Sequence, residues 1–467
     1  MARYESVLDW VGGTPLVRLT RAAEGLRPRV YVKPEWQNPG GSVKDRAALS
    51  MLRRAEADGS LRPGGTVVEV TSGNTGIGFA LIAAHLGYRS VIFTSSMIAQ
   101  EKRSQIAAYG TELRLVDTFV PKYHPDSLRS QAERFVTETP GAWLASQYDN
   151  PGNAEAHYTS TGPEIWQDTD GRVTHFVATV GTGGTISGAG RYLKEVSDGR
   201  VRVIGADPIT SSYVGGDGSQ KYIEGAGHFV HPEATVDEWP KALDLEVIDD
   251  YVAVDDQRAI DAVRRLARTD GILAGGSSGV AIVAALETAT DLTEDDTVVV
   301  LLPDSGRTYL STYFNDRWLV STGFTGSATD FDAPTVGERA AAARLVERDE
   351  PLAAAVRRLA AEDVGDDVVV LVVHRREHRV LAPHPSDVVG WTTPARLRVA
   401  ATVAGSVQPA GPRLGTGIGL ADPAVTGWDP ADGEVALVLD GGRVVATLTW
   451  AAVNLEPAAA GAAEVAR

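Results

Sequence analysis

The segment at residues 175–194, HFVATVGTGGTISGAGRYLK, joins an apolar run, a glycine-rich loop and a helical pattern without interruption. The run HFVATV (175–180) is typical of a strand that is covered on both faces, as in a parallel sheet between helices. The loop GTGGT (181–185) follows at the point where α/β proteins place their ligands, the carboxyl end of a strand. The segment therefore predicts an α/β fold with a binding site at this turn.

The rest of the first 320 residues repeats this pattern. Nearly continuous apolar runs, each predicted as a buried strand, are TVVEVT (66–71), SVIFT (90–94), ELRLV (112–116), VRVIGA (201–206) and TVVVLLP (297–303). Helical patterns lie between them, and several end on glycine, which favours the left-handed conformation at a helix end. Such alternation indicates the α/β class.

Composition restricts the function. The 467 residues predict two or three domains, and 43% hydrophobic with 22% charged residues indicates folded structure. A net charge of −17 argues against a nucleic-acid or anionic-membrane partner, because both require clustered positive charge. The absence of cysteine excludes thiolate-bound zinc, iron–sulfur clusters and a cysteine nucleophile. No signal peptide, membrane span or metal-ligand spacing is recognised, so we expect a cytoplasmic protein without a metal.

A change in composition near residue 323 predicts a domain boundary. We expect a catalytic domain at 1–322, a linker at 323–334, a small module at 335–460 and a frayed tail at 461–467. Within the module, VVVLVVHRREHRVLAPHPSDVVG (368–390) and VALVLDGGRVVATLTWAAVNL (435–455) are weakly similar, which predicts a tandem repeat with α+β structure.

The loop GTGGT fits a phosphate. Its glycines allow close approach of the backbone, its N–H groups converge at a helix start, and threonine hydroxyls add donors. An ordinary turn is the alternative. A dinucleotide fingerprint would need glycine at position 186, where Ile186 stands, and a P-loop would end in Gly-Lys-Ser/Thr. The loop thus favours a phosphate group without a nucleotide.

Two further polar loops, which we also expect directly after buried strands, are TSGNTG (71–76) and GGSSG (275–279). The first offers hydroxyls, an amide and backbone N–H groups that suit a carboxylate and a phenolic oxygen. The alternative for both loops is that a polar side chain is a helix N-cap: Ser72 or Asn74 in the first loop and Ser277 in the second. A fourth loop, NPGGSVKDR (38–46), places Lys44 at the start of a helix.

Taken together, these loops suit pyridoxal phosphate. A lysine forms a Schiff base with its aldehyde once the amine is deprotonated. Asn74 would bind the phenolic oxygen, Gly181–Thr185 the phosphate, and Ser277 the ring nitrogen. A serine at that nitrogen leaves it unprotonated, which favours elimination at Cβ over transamination.

At these residues the chain resembles fold-type II pyridoxal-phosphate enzymes of the cysteine synthase and cystathionine β-synthase family. The similarity covers about 310 residues and includes GGTPLVRL (12–19), KPEWQNPGGSVKDRAA, VTSGNTGIGFA, ATVGTGGTISGAGRYLK and LPDSGRTYLSTYFNDRW. It implies two α/β subdomains with open, mostly parallel sheets, one of them inserted at about 45–150. It also implies a homodimer and small amino-acid substrates.

The resemblance assigns roles to particular residues. Lys44 would be the Schiff-base lysine and proton carrier. The cofactor contacts would be Asn74, Gly181, Thr182, Gly183, Gly184, Thr185 and Ser277, and the substrate contacts Thr71, Ser72, Thr75, Gln147 and Gly225.

The implied reaction is β-replacement through an aminoacrylate. SQYDNP, YIEGAG (222–227), DGILAGGSSG and the carboxy-terminal module resemble cystathionine β-synthases, which favours L-serine and L-homocysteine giving L-cystathionine and water. His228 departs from the pattern usual there. Alternatives are a cysteine synthase using O-acetyl- or O-phosphoserine and sulfide, a diaminopropionate-forming enzyme, a serine/threonine dehydratase and a catalytically inactive regulator.

The module resembles tandem regulatory repeats that bind adenosine derivatives through a Thr-x-x-Asp pattern. The first repeat keeps Asp387 but has His384 in place of threonine, and the second keeps Thr449 but has Ala452 in place of aspartate. An adenosine-type ligand and a purely structural or dimer-stabilising role are both open.

Overall fold

The computed structural model describes residues 3–96, 98–324, 341–362, 364–365, 368–376, 382–400, 402–415, 428–429, 433–440 and 443–449. The chain divides into two compact units, Met1–Phe314 and Asn315–Arg467. Most of the predicted linker and the whole predicted tail lie outside the described residues, and the predicted domain boundaries stay predictions. Within the described part of the chain, no helix is long and apolar enough to cross a bilayer.

The first unit alternates strands and helices. Its strands are β1 (Val17–Arg18), β2 (Arg29–Pro34), β3 (Thr66–Val70), β4 (Arg89–Thr94), β5 (Glu112–Leu115), β6 (Ala142–Leu144), β7 (His175–Thr179), β8 (Arg202–Pro208), β9 (Asp250–Val254) and β10 (Thr297–Leu302). Its α-helices are α1 (Lys44–Asp58), α2 (Asn74–Leu86), α3 (Gln100–Ala108), α4 (Leu128–Glu138), α5 (Gly152–Ala156), α6 (Gly162–Asp168), α7 (Gly184–Val196), α8 (Asp256–Thr269) and α9 (Gly276–Ala289).

These strands form two sheets. The larger has the order β1-β2-β10-β7-β8-β9 and is parallel except for β1, and the smaller has the order β5-β4-β3-β6 and is wholly parallel. Every residue of β10 is buried, as its uninterrupted apolar sequence predicts. All six predicted strands are confirmed, whereas β1, β2, β6 and β9 were not predicted.

The sheets place the polar loops. The carboxyl end of β3 leads into TSGNTG and α2, and the carboxyl end of β7 leads into GTGGT and α7. The expectation that GGSSG also follows a buried strand is wrong. It follows α8, because the segment between α8 and α9 pairs only at Ala274, in an isolated bridge with Ser305, and forms no strand.

The second unit contains two small sheets. Its elements are α10 (Asp316–Thr322), β11 (Ala341–Ala342), β12 (Leu345–Glu347), α11 (Leu352–Ala361), β13 (Val370–Val373), β14 (Val388–Thr392), α12 (Pro394–Val399), β15 (Arg413–Gly415), β16 (Val435–Asp440) and β17 (Arg443–Thr449). Both of the weakly similar passages form an antiparallel strand pair, β13 with β14 and β16 with β17. Ala452 of the second repeat lies outside the described residues.

Candidate active site

Lys44 is the first residue of α1 and follows a loop that is fixed from two sides. The N–H of Val43 donates to the carbonyl of Pro303 at 2.9 Å, and Ser42 forms a backbone bridge with Asp304. Burial lowers the pKa of Lys44 to about 8, although the Asp304 carboxylate opposes that shift. Near neutral pH, a much larger fraction of the Lys44 amine is therefore neutral and nucleophilic than in an ordinary lysine.

A buried ionic network stands behind this loop. Arg46 donates to Glu35 at 2.7 Å and to Glu164 at 2.6 Å, and Lys33 lies 2.8 Å from Glu164. Burial raises the pKa of Glu164, but the larger combined effect of Arg46 and Lys33 lowers it to about 2. Because each buried charge has a partner of opposite sign, the network ties α1 to β2 and α6 and holds the segment that carries Lys44.

The GTGGT loop has the shape of an anion cradle. A Cβ on Gly181 would lie 2.4 Å from the carbonyl oxygen of Gly225, and a Cβ on Gly184 would lie 2.2 Å from Oδ1 of Asn153. Gly183 has φ of +84° and precedes α7, whose amino end has no side-chain cap. The first N–H groups of a 13-residue helix thus remain available to an anion, as a phosphate requires.

Two residues that sequence reasoning missed orient the threonines of this loop. Asn153 donates to Thr182 at 2.9 Å, and Nε2 of His157 lies 3.1 Å from the Thr185 hydroxyl. Burial lowers the pKa of His157 well below its usual value, and the charges of Arg46 and then Lys44 add to that effect. Asn153 and His157 are four residues apart in one helical segment, so they lie on the same face of it. This spacing could have identified them as a pair from the sequence.

The TSGNTG loop does not use its polar side chains as helix caps. The N-cap of α2 is Gly73, with φ of +137° and no side-chain cap, so neither Ser72 nor Asn74 serves that purpose. Nδ2 of Asn74 instead donates to Asp304 at 2.8 Å. Ser72 is exposed.

Three other predicted substrate contacts lie around the same loop. The Thr75 hydroxyl donates to Oε1 of Gln147 at 2.6 Å, and Gln147 donates to the carbonyl of Val70 at 3.2 Å. The Thr71 hydroxyl accepts from the N–H of Gly73 at 3.1 Å. Thr71, Thr75 and Gln147 are thus brought together at the carboxyl end of β3.

Ser277 and Gly225 complete the predicted set. Ser277 is buried in the first turn of α9, whose N-cap is Gly275 without any side-chain cap, so the cap alternative is not observed. The N–H of Gly275 donates to the carbonyl of Asp304 at 3.0 Å. Gly225 has φ of +81° and lies against Gly181 of the GTGGT loop.

Asp304, which sequence reasoning did not single out, connects three of these loops. It directly follows Pro303 at the carboxyl end of β10, and it contacts Ser42 of the lysine loop, Asn74 and Gly275. Its position after the most continuous apolar run of the chain was the available signal. The donor set therefore combines a buried amine, an anion cradle, an amide and a serine, and this combination fits pyridoxal phosphate.

The comparisons with known proteins agree with this geometry. A family model described as pyridoxal-phosphate dependent enzyme matches residues 7–304, and the chain belongs to this family of enzymes. Its cofactor is pyridoxal phosphate.

Particular relatives include two kinds of synthase. Cystathionine beta-synthase of Apis mellifera is 40% identical over 325 residues, which is 68% of this chain and 63% of the relative's length. Cysteine synthase of Staphylococcus aureus (strain N315) is 39% identical over 311 residues, or 66% of this chain and 96% of that protein. The crystal structure of O-ureido-L-serine synthase matches with a TM-score of 0.61 and 39% identity, covering 68% of this chain and 100% of that one.

Proposed function

We propose that this enzyme catalyses β-replacement on a serine-type amino acid, with L-serine and L-homocysteine giving L-cystathionine and water as the leading reaction. The observation that carries the proposal is the buried Lys44 amine, with a pKa of about 8, in a site that also contains the anion cradle. The similarity to cystathionine beta-synthase of Apis mellifera supports this pair of substrates.

In this proposal the phosphate is held by Gly181–Thr185, the phenolic oxygen by Asn74 and the ring nitrogen by Ser277. Pyridoxal phosphate, when bound, supplies an aldehyde that joins the substrate amine and a ring that withdraws electrons from the substrate's Cα. Thr71, Ser72, Thr75, Gln147 and Gly225 bind and orient the substrate, the first four through its α-carboxylate.

Lys44 moves the protons. Its neutral amine removes the proton from Cα of L-serine, and the Cβ–O bond then breaks as the hydroxyl leaves with that proton, donated by Lys44, to form water. The sulfur of L-homocysteine bonds to Cβ, and its thiol proton passes to Lys44. Lys44 returns a proton to Cα, so that atoms and charges balance.

A second candidate is a different β-replacement, by a cysteine synthase or an O-ureidoserine-forming enzyme. His228 supports this alternative, because its ring stacks on Tyr213 with centroids 5.1 Å apart and Nε2 lies 2.7 Å from Asp237. The Tyr213 hydroxyl donates to the carbonyl of Gly181 at 3.1 Å, so His228 lies close to the phosphate loop. Because His228 departs at this position from the pattern usual in cystathionine β-synthases, it favours a nucleophile other than homocysteine.

The test is a matrix of donors and nucleophiles. Purified holoenzyme is mixed with L-serine, O-acetyl-L-serine or O-phospho-L-serine, each with homocysteine, sulfide or hydroxyurea, while the visible spectrum and the products are followed. Cystathionine from L-serine supports the leading reaction, and product from an activated donor alone moves the assignment to the second candidate. Lys44→Ala must abolish turnover; residual turnover would overturn the role of Lys44. The homodimer and the cytoplasmic location remain part of the proposal.

A further inference from the structure

Lys102 of α3 is a buried lysine without a role in the proposed reaction. Only 2% of its side chain is exposed, and its amine donates to Oε2 of Glu224 and to the Tyr309 hydroxyl, both at 2.7 Å. A buried charge is costly unless it is paired and hydrogen-bonded. Lys102 belongs to the part of the chain that forms the smaller sheet, whereas Tyr309 follows β10 of the larger one.

The stem of Lys102 lies against the loop that carries Asn74. A Cβ on Gly73 would be 2.5 Å from Cδ of Lys102, so only glycine leaves room for this lysine. The φ of +137° at Gly73 likewise favours glycine. The lysine therefore both packs on the asparagine loop and reaches past it to Tyr309.

The hydrogen bonds from Lys102 have a fixed direction. An ammonium group only donates, so the Tyr309 hydroxyl accepts from Lys102 and gives its own hydrogen to Oδ2 of Asp304, at 2.7 Å. The same Oδ2 accepts from Nδ2 of Asn74 at 2.8 Å. Because a carboxylate only accepts, the amide of Asn74 must turn its NH₂ group, not its oxygen, toward Asp304.

We propose that Lys102 is a positioning residue: through Tyr309 it holds the Asp304 carboxylate in the place from which that carboxylate orients the amide of Asn74. One N–H of Asn74 is then held by Asp304, and the other faces the phenolic oxygen of the cofactor. This inference rests on the proposed function, which takes Asn74 as the contact of that oxygen. A reversed amide would present its own oxygen to an acceptor and weaken the contact.

Two variants test the chain of hydrogen bonds in the holoenzyme. Lys102→Met keeps the stem on Gly73 but removes the donor, and Tyr309→Phe keeps the ring that stacks on Tyr313 with centroids 4.8 Å apart. For both we expect kcat to fall about tenfold, the value of one lost hydrogen bond to a charged group, with KM for L-serine nearly unchanged. The ratio of the long- and short-wavelength bands of the bound cofactor should change, because the charge on the phenolic oxygen loses a donor.

The controls separate positioning from damage. Lys102→Arg restores a donor and should recover kcat and the band ratio. Lys194→Met removes another ion-paired lysine, bonded to Asp249 at 2.6 Å, and should leave both at the wild-type values. Tyr309→Phe leaves the Lys102–Glu224 pair in place. It therefore tests the role of the hydrogen-bond chain if Lys102→Met does not fold.

The outcomes are distinct from those for the proposed function. A wild-type protein without a cofactor band, or without activity on any serine donor, overturns the proposed function whatever the variants do. An active wild type with variants of wild-type kcat and band ratio overturns the role of Lys102. A lower kcat with an unchanged band ratio also overturns it, since that result indicates a general structural defect.

Discussion

Asn74 donates a hydrogen bond to Asp304 over 2.8 Å, although 230 positions separate the two residues in the chain. The bond joins a loop of the smaller sheet to the carboxyl end of β10 in the larger one. Asp304 also raises the pKa of Lys44 against the effect of burial. One carboxylate thus acts on both the amide and the amine that we assign to the cofactor.

The pH dependence of cofactor capture should report the pKa of Lys44. Only the neutral amine attacks an aldehyde, so apo-enzyme should capture pyridoxal phosphate at a rate that rises with pH through about 8 and then levels off. Stopped-flow absorbance measures this rate. A midpoint near 10.5, the value of an ordinary lysine, would contradict the environment described for Lys44.

Substitution of Asp304 should move that midpoint downward. The negative charge of Asp304 stabilises the ammonium form, so Asp304→Asn removes this stabilisation and favours the neutral amine at lower pH. Asp295→Asn, which removes an exposed carboxylate, is the control and should leave the midpoint in place. An upward shift in Asp304→Asn would show that the carboxylate does not act on Lys44 through its charge.

The cradle predicts a specific loss of cofactor affinity. Gly181→Ala places a methyl group 2.4 Å from the carbonyl oxygen of Gly225, so the backbone of the loop must move. Overpacking of this kind costs about 1–3 kcal/mol, which corresponds to about a 5- to 150-fold rise in the dissociation constant of pyridoxal phosphate. Absorbance titration of the apo-enzyme measures it.

Gly365→Ala is the matched control, since among the described residues its added methyl group would meet Val368 alone, at 3.5 Å. This variant should bind the cofactor as the wild type does. Equal affinity in Gly181→Ala and Gly365→Ala would mean that the loop does not hold the phosphate.

The ionic network behind Lys44 should make stability depend on pH. The pKa of Glu164 is about 2 in the folded state, below the ordinary 4.5, so its contribution to the free energy of unfolding is complete above about pH 4.5 and is lost as the pH falls toward 2. Glu164→Gln should therefore cost about 2–3 kcal/mol at pH 7 and less at pH 3.5. Urea unfolding of wild type and Glu164→Gln at both pH values, followed by a signal from the first unit, measures the difference in their free energies of unfolding. A difference that is the same at both pH values would contradict the lowered pKa of Glu164.

The sequence predicted best what depends on local pattern. The nearly continuous apolar runs of β3, β7 and β10 predicted the correct strands, and the glycine-rich turns after β3 and β7 predicted two of the loops around the site. β2 was missed because Lys33 and Pro34 suggest an exposed loop, whereas the amine of Lys33 is buried against the carbonyl of Thr14. Its burial depends on a partner that the local sequence does not contain.

Two of the missed residues, Asp304 and Lys102, were missed for the same physical reason. Asp304 and Lys102 owe their roles to hydrogen bonds with residues more than 100 positions away, such as Asn74 and Tyr309. Periodicity and turn chemistry carry no information about such contacts. The resemblance to known enzymes supplied the predicted contacts, but it did not supply the carboxylate that links them.

The last prediction concerns the binding of adenosine derivatives to the second unit. Asp387, the residue expected to hold a ribose, is fully buried and its Oδ1 accepts from Arg376 at 2.6 Å. His384, which replaces the threonine of the usual pattern, accepts from the N–H of Ser386 at 3.1 Å and caps the turn before β14. Both side chains therefore have structural contacts, and we expect a structural role for this part of the unit.

We accordingly expect ATP, AMP and S-adenosylmethionine to leave the melting temperature of the full chain unchanged, because a ligand stabilises a fold only when it binds the native state. Asp387→Asn should instead lower the melting temperature of the second unit, since loss of one partner from a buried ion pair costs about 3–5 kcal/mol. Differential scanning calorimetry with each compound distinguishes the two roles. A saturable rise in melting temperature that Asp387→Asn abolishes would establish an adenosine site in spite of the Arg376 contact.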